Sequence, residues 1–375
     1  MLKKLCIAIF LLSGALAQAA APTPPSVKGR AWLLADLSSG QILASENLAE
    51  RFEPASLTKL MTAYVVFGAL RDKRITLEQQ ANVSERAWKA TGSRMFIEPR
   101  KPVTIDELLR GMVVQSGNDA SIALAEAVSG SEDVFVSLMN QEATRLGMKD
   151  TKFMNASGLP DPQHLTTAQD LYQLTAALIR DFPEHYARYY SQKEYRYNNI
   201  TQLNRNRLLW LDPSVDGAKT GHTEAAGYCL IASSRRGERR LLSVLLGSTS
   251  EAVRAQESLK LLNWGYQAFD SVKLYAKGKV VKTIPVWKGK AKQVDAGFAG
   301  DLVLTVPKAK AANLKAELLS RQPLMAPVMQ AQPVGVLRVT LDGEAVGEYN
   351  LIALEAVPAA GFFGRTWDTL RLWWK

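Results

Sequence analysis

Ser56 and Lys59 stand three residues apart in EPASLTKLMTAYVVFGAL, residues 53–70, a run that is otherwise almost wholly apolar. A lysine in the body of a buried helix is costly unless it is paired, or unless desolvation lowers its pKa and leaves it neutral. A neutral lysine is a base. An i, i+3 spacing puts both side chains on one helical face, so Ser56 is expected to be a nucleophile whose proton Lys59 takes. No other serine is followed by lysine three positions later. Two further clusters follow: QSGND supplies Ser116 and Asn118 between two apolar helices, and GAKTGHT supplies Lys219, Thr220 and Gly221, with His222 next, where strand-like sequence begins. Each has a plainer reading by itself. Ser116 and Asn118 suit caps of the helix beginning near Asp119, Lys219 a strand-edge charge, and His222 a satisfied polar residue. The ordered succession on helix, loop and strand makes the set specific.

The elements that must position these groups follow from the pattern. RAWLLADLSSGQILASEN reads as two strands around Ser38-Ser39-Gly40, and Ser56 to about Ala69, apolar on every side, reads as a buried helix. TIDELLRGMVVQ, DASIALAEAVSG and EDVFVSLMNQEATRLGM are three more helices. GYCLIASSRRGERRLLSVLLGS is a strand hairpin, followed by helical SEAVRAQESLKLLNWGYQAF. Sheet, helices, sheet, helix predicts an α/β (α+β) domain whose antiparallel sheet draws strands from both ends of the segment. From about Val272 the segments are short and alternating, predicting a small all-β domain, a sandwich or barrel, with a modest helical period only in KAANLKAELLS.

Residues 1–21, with Lys3 and Lys4, an apolar stretch from Leu5 to Leu12 and small residues before Pro22, have the pattern of a cleaved secretory signal. Removing those two lysines takes the formal charge from +10 to +8. A basic exported chain suits an anionic partner such as a membrane surface or cell wall, and export argues against nucleic acid. Of the two cysteines, Cys6 lies in the signal and Cys229 sits in an apolar run, so no internal disulfide is expected and Cys229 reads as core filler.

With Ser56-Leu57-Thr58-Lys59, Ser116-Gly117-Asn118, Lys219-Thr220-Gly221, the RAQESLKLLNWG stretch and the β-rich end in place, the chain resembles the penicillin-recognising serine enzymes. It is most similar to the D-alanyl-D-alanine carboxypeptidases of the penicillin-binding protein 5/6 type. The resemblance implies a penicillin-binding/β-lactamase-like transpeptidase fold and release of the C-terminal D-alanine from peptidoglycan pentapeptides through an acyl-enzyme on Ser56. β-Lactams would be covalent inhibitors, with no cofactor and no metal. Lys59 would be the base, and Ser116 would relay a proton to the leaving nitrogen. Asn118 would hold Lys59 and the substrate amide, while Lys219, as a fixed cation, would align Ser116 and attract the terminal carboxylate. Thr220 would bind that carboxylate, with Arg254 as a second partner. Gly221 would let the peptide approach the strand, and the backbone N–H groups of Ser56 and His222 would form the oxyanion hole.

FMNASGLPDPQHLTTAQD resembles the loop bordering the site in this family. No glutamate occurs between Glu142 and Glu184, so rapid β-lactam hydrolysis is not expected, and His164 is assigned an ordering role in the loop. In GFFGRTWDTLRLWWK a helical projection places Phe362, Phe363, Trp367, Leu370, Trp373 and Trp374 opposite Arg365, Asp368, Arg371 and Lys375. That pattern predicts an interfacial amphipathic anchor too short to span a bilayer. The expected organisation is a signal (1–21), a catalytic domain (22–271), a β-rich domain (272–355) and a membrane-anchoring helix (356–375), attached to the outer face of the cytoplasmic membrane in the periplasm. Competing readings are a DD-endopeptidase or weak β-lactamase of the same superfamily, and a non-catalytic wall-binding scaffold.

Overall fold

The computed structural model describes residues 22–320 and 322–373, so the expected signal lies outside the described residues. The chain divides into two compact units, one built on Pro24–Ser271 and the other on the residues from Val272 onward, apart from Val303–Thr305.

In the first unit a five-stranded antiparallel sheet takes two strands, Ala31–Asp36 and Gln41–Glu46, from the start and three, Val215–Thr223, Gly227–Arg236 and Arg239–Ser248, from the end. The early strand Ala31–Asp36 pairs with Arg239–Ser248, joining the two halves, and Val215–Thr223 is left as an edge. Successive residues of a strand face opposite sides. Leu33 and Ala35 accordingly pack with the helix Lys59–Arg71, while Trp32 and Leu34 pack with Leu261 and Leu262 of the helix Glu251–Ala268. Both faces are covered, which is why these strands read as nearly continuous apolar runs.

The helical layer begins and ends at its caps. Thr104 accepts from the Glu107 N–H while Glu107 returns a bond to the Thr104 N–H, the reciprocal box that opens Ile105–Val114. Ser131 and Ser250 cap Glu132–Arg145 and Glu251–Ala268, and Gly130, at φ +80°, closes Asn118–Ser129. Lys59–Arg71 buries side chains all round, including Leu60, Met61, Val66 and Phe67.

Among its described residues the second unit is all β apart from a short turn and the terminal helix. Its six-stranded sheet has Leu337, Val339 and Leu341 alternating inward on Pro333–Leu341. KAANLKAELLS, read as modestly helical, is instead a 3₁₀ turn, Ala311–Asn313, and a strand, Leu314–Ser320. That strand pairs residue for residue with Pro333–Leu341 from Leu314–Leu341 to Ser320–Gly335, and the ladder overrides the helix preference of alanine, leucine, lysine and glutamate.

The helix Phe362–Trp373 leaves Phe362, Phe363, Trp367, Leu370 and Trp373 exposed, as the projection requires. Asp368 departs from it. Rather than facing water with the cations, its carboxylate is 1% exposed, accepts the Lys288 N–H at 2.7 Å and pairs with Lys292 at 3.0 Å. A buried carboxylate needs such partners, and these bonds outweigh burial and hold its pKa below the usual value. Trp374 and Lys375 lie outside the described residues. Among the described residues no helix is long and apolar enough to cross a membrane.

Candidate active site

The serine and the lysine do not share one regular α-helix. Ala55–Thr58 is a 3₁₀ turn on which Ser56 is half-buried, and the α-helix starts at Lys59. A 3₁₀ turn eclipses residues i and i+3, so the tighter turn brings the pair together directly: Lys59 Nζ lies 3.1 Å from Ser56 Oγ. The ammonium site is 1% exposed, and its other partners are Asn118 Oδ1 at 2.7 Å and the Ser157 carbonyl at 2.5 Å. All three are neutral. Burial, reinforced by the nearby Arg205 cation and opposed by Asp119, lowers the Lys59 pKa to about 7.

Ser116 and Asn118 are where the helix Asn118–Ser129 begins, yet neither caps it, so the capping reading of these residues is set aside. Asn118 instead grips Lys59 with its oxygen and donates to the Thr91 carbonyl at 2.7 Å. Asp119 folds back to accept three N–H groups, from Met95, Phe96 and Ile97, which secures the loop facing Ser116. Ser116 takes a left-handed backbone, φ +67°, and its buried Oγ has no hydrogen-bond partner among the described residues. Strain and an unpaired hydroxyl at one residue are typical of a site held ready for another molecule.

Lys219, Thr220 and Gly221 lie on the edge strand, opposite Ile231, Leu230 and Cys229. Lys219 is buried and donates to the Thr220 carbonyl at 3.1 Å, with no hydrogen bond to Ser116 Oγ. Burial, then the cations of Lys59, Arg205 and Arg254, pushes its pKa well below the ordinary lysine value. An anion beside Lys219 would favour its protonated form. Gly221 also has a second reason to be glycine. A Cβ there would lie 3.1 Å from Leu57 Cγ and 3.2 Å from the Pro54 carbonyl, so its smallness seats the strand against the serine turn. His222 is exposed and its ring lies tilted against that of Tyr228, centroids 4.1 Å apart. Arg254 is buried, donates to the Gly221 carbonyl at 3.3 Å and lies 3.7 Å from Glu251. Cys229 is fully buried, its thiol pushed up to about 11 by desolvation.

Ser56, Ser116, Thr220, Gly221, His222 and Arg254 line one cleft of about 540 Å³, with Lys59 and Asn118 behind Ser56. The cleft also holds Ser93, Arg205 and Glu251, which sequence reasoning missed. Arg205 carries no local signal. It is placed by its neighbours: Asn204 Oδ1 accepts the Asn206 N–H, and Asn206 Nδ2 donates to the Gly217 carbonyl on the lysine-bearing strand.

The loop FMNASGLPDPQHLTTAQD closes the rear of the cleft. Asn155 Oδ1 accepts the N–H groups of Ser157, Gly158 and Leu159, aiming the Ser157 carbonyl at Lys59. His164 Nε2 lies 3.1 Å from Thr58 Oγ1, and burial lowers its pKa to about 4, so it is a neutral bracket between loop and turn. Gly158 stands at φ +84°, and a Cβ on it would fall 1.8 Å from the Ala55 carbonyl. Gly158→Ala should therefore cost roughly 2 kcal/mol or more of stability and slow acylation, because the loop must lift off the serine turn. Thermal unfolding together with the penicillin acylation rate checks this, and an unchanged melting temperature would show that the loop is not held against Ala55.

Comparison with known proteins places this geometry among relatives. Residues 18–250 match the peptidase S11 family, D-alanyl-D-alanine carboxypeptidase, and residues 269–359 match the C-terminal domain of penicillin-binding protein 5. The chain is 43% identical over 353 residues to the D-alanyl-D-alanine carboxypeptidase DacC of Escherichia coli, covering 92% of this chain and 88% of the relative. The crystal structure of penicillin-binding protein 5 from Haemophilus influenzae superposes with a TM-score of 0.87 at 39% identity, over 90% of this chain and 99% of that one. Penicillin-binding protein D2 of Listeria monocytogenes, solved in its ampicillin-bound form, matches with a TM-score of 0.60 at 27% identity, over 65% of this chain and all of that one.

Proposed function

The chain belongs to the D-alanyl-D-alanine carboxypeptidase family, and on that premise we propose that it removes the terminal D-alanine from peptidoglycan stem peptides by serine acyl transfer at Ser56. The observation that carries this assignment is the buried Lys59 amine, 3.1 Å from Ser56 Oγ, with only neutral hydrogen-bond partners and a pKa lowered to about 7. Near neutral pH a large share of it is unprotonated and able to accept the serine proton.

The steps follow from the placement. Ser56 Oγ attacks the carbonyl carbon of the D-Ala-D-Ala bond while its proton passes to Lys59 Nζ. The N–H groups of Ser56 and His222 receive the oxyanion. The proton then reaches the leaving nitrogen through the Ser116 hydroxyl, the C–N bond breaks, and D-alanine departs. Water attacks the ester and restores Ser56. Thr220 and Arg254 hold the terminal carboxylate, and its arrival beside Lys219 favours the protonated amine there. β-Lactams enter the same chemistry and remain as the acyl-enzyme. The test is D-alanine release from a pentapeptide ending in D-Ala-D-Ala, with the labelled penicillin adduct mapped by mass spectrometry. Release, with the adduct on Ser56, is expected; penicillin capture without release would leave a scaffold that merely acylates.

The same reading places the protein outside the cytoplasmic membrane, exported by residues 1–21 and attached by its C-terminal helix. The support is chemical: five exposed apolar side chains lie on one helix of twelve residues, with Arg365 and Arg371 available for anionic lipid, and Asp368 ties that helix to the β domain. Deleting residues 358–375 should release the protein from membranes without loss of activity on a soluble pentapeptide. Sedimentation with membranes checks it, and undiminished binding would move the anchor elsewhere.

A further inference from the structure

Glu132 opens the helix Glu132–Arg145 with its side chain turned inward and buried. An acidic group suits the first turn of a helix, but a buried carboxylate needs partners for both its oxygens. Here both are taken: Oε1 accepts the Ala156 N–H at 2.9 Å, and Oε2 pairs with Arg86 at 2.5 Å. Ala156 is held at its other end too, since the Thr62 hydroxyl donates to its carbonyl at 2.6 Å. The next carbonyl along the chain is that of Ser157, which accepts from Lys59 Nζ at 2.5 Å. One helix through Glu132 and another through Thr62 therefore grip a single residue, and its neighbour's carbonyl meets the amine. Asn155 shapes this turn from within the loop; Glu132 and Thr62 fix it to the helical layer.

What that carbonyl does follows from the valence of the amine, and it rests on the reading of Lys59 as the base given above. A neutral amine has two N–H bonds and one lone pair. The Ser157 carbonyl at 2.5 Å and Asn118 Oδ1 at 2.7 Å are acceptors only, so they take the two N–H groups and leave the lone pair for the Ser56 hydroxyl at 3.1 Å. With the carbonyl swung away, the amine is free to turn about its Cε–Nζ bond and offer Ser56 an N–H instead. We propose that Glu132 is a positioning residue of the acylation step: by clamping Ala156 it keeps the Ser157 carbonyl on Lys59, and so keeps the amine's lone pair on the Ser56 hydroxyl. Proximity alone is not enough, because a reacting group misplaced by about 1 Å loses on the order of 10²-fold in rate.

The experiment measures penicillin acylation of the full protein, of Glu132→Ala, Glu132→Gln and Thr62→Val, and of Lys59→Met with and without Glu132→Ala. Glu132→Ala should acylate about thirtyfold more slowly at saturating penicillin, with the half-saturating concentration changed by less than about threefold. That factor should be the same at pH 6 as at pH 9, because orientation is lost rather than protonation. Glutamine still offers an oxygen to the Ala156 N–H, so Glu132→Gln should return to within about threefold of wild type. In Lys59→Met there is no lone pair to aim, and adding Glu132→Ala should slow the residual rate less than about twofold. Thr62→Val releases the same residue from its other end; it should slow acylation about tenfold, and it carries the test if Glu132→Ala does not fold. A loss that persists undiminished in Lys59→Met would make Glu132 a structural residue only. A loss that vanishes at pH 9, or a glutamine variant as slow as the alanine one, would mean that charge acts on Lys59 rather than the grip on Ala156. Near-wild-type acylation in Thr62→Val would remove the clamp. Each of these overturns the inference, whereas fast acylation of Lys59→Met by itself would sink the reading of Lys59 as the base.

Discussion

Ser56→Ala is expected to abolish acylation by penicillin, since alanine has no oxygen to take the acyl group, and Lys59→Met to slow it on the order of 10²- to 10⁴-fold, with the double variant no worse than Ser56→Ala alone. Serine without its base is a poor nucleophile, and the base without its serine has nothing to activate; groups acting as a unit do not add. Methionine is chosen because it fills the buried volume of Lys59 without a titrating group. The pH profile separates this role from a packing role. Lys59 titrates at about 7, so below that pH it is increasingly an ammonium with no lone pair to accept a proton, and above it the free amine predominates. Wild-type acylation should therefore fall about tenfold per unit below pH 7 and flatten above it. In Lys59→Met the small residual rate should lose that limb. A limb that survives the substitution would assign the titration to another group, with Lys219, buried beside the same cations, as the first suspect.

How much of this was legible in the sequence depended on what each residue needs from its neighbours. Lys59 announces itself beside Ser56 because an amine in an apolar run conflicts with its setting, whereas Ser116, Asn118 and the Lys219–Gly221 strand, each with a plainer reading alone, become legible through their ordered succession after that pair. The layered fold was legible too, because apolar periodicity reports burial on one face or all round. Three features were not. Arg205 reaches the cleft only because two asparagine side chains fold its turn against Gly217, a long-range bond with no local pattern. Leu314–Ser320 has the composition of a helix and becomes a strand because Pro333–Leu341 offers it a complete ladder. Asp368 looked like part of a solvated face, and its burial depends on the Lys288 N–H and Lys292, some eighty residues away in sequence. In each case a distant partner decides, which a one-dimensional pattern cannot contain.

Ser116→Ala should cut turnover of the D-Ala-D-Ala peptide on the order of 10²- to 10⁴-fold while leaving the fold intact. The fold argument is direct. The Ser116 Oγ makes no hydrogen bond among the described residues, so removing it orphans no partner, and alanine keeps the same Cβ at the same left-handed φ of +67°. The catalytic argument concerns the leaving group. A departing amine must gain a proton as the C–N bond breaks, and once free D-alanine diffuses away the step is complete; without the hydroxyl, the tetrahedral intermediate more often collapses back to peptide. A β-lactam differs because its ring strain drives opening and its leaving nitrogen stays tethered. Ser116→Ala should therefore lose much more activity on the peptide than in penicillin acylation, and that ratio is the measurement. Equal losses on both would mean that Ser116 acts before the intermediate forms, on Lys59 or on the attack itself. A loss under about threefold on the peptide would mean that another route, Lys59 directly, carries the proton to the leaving nitrogen.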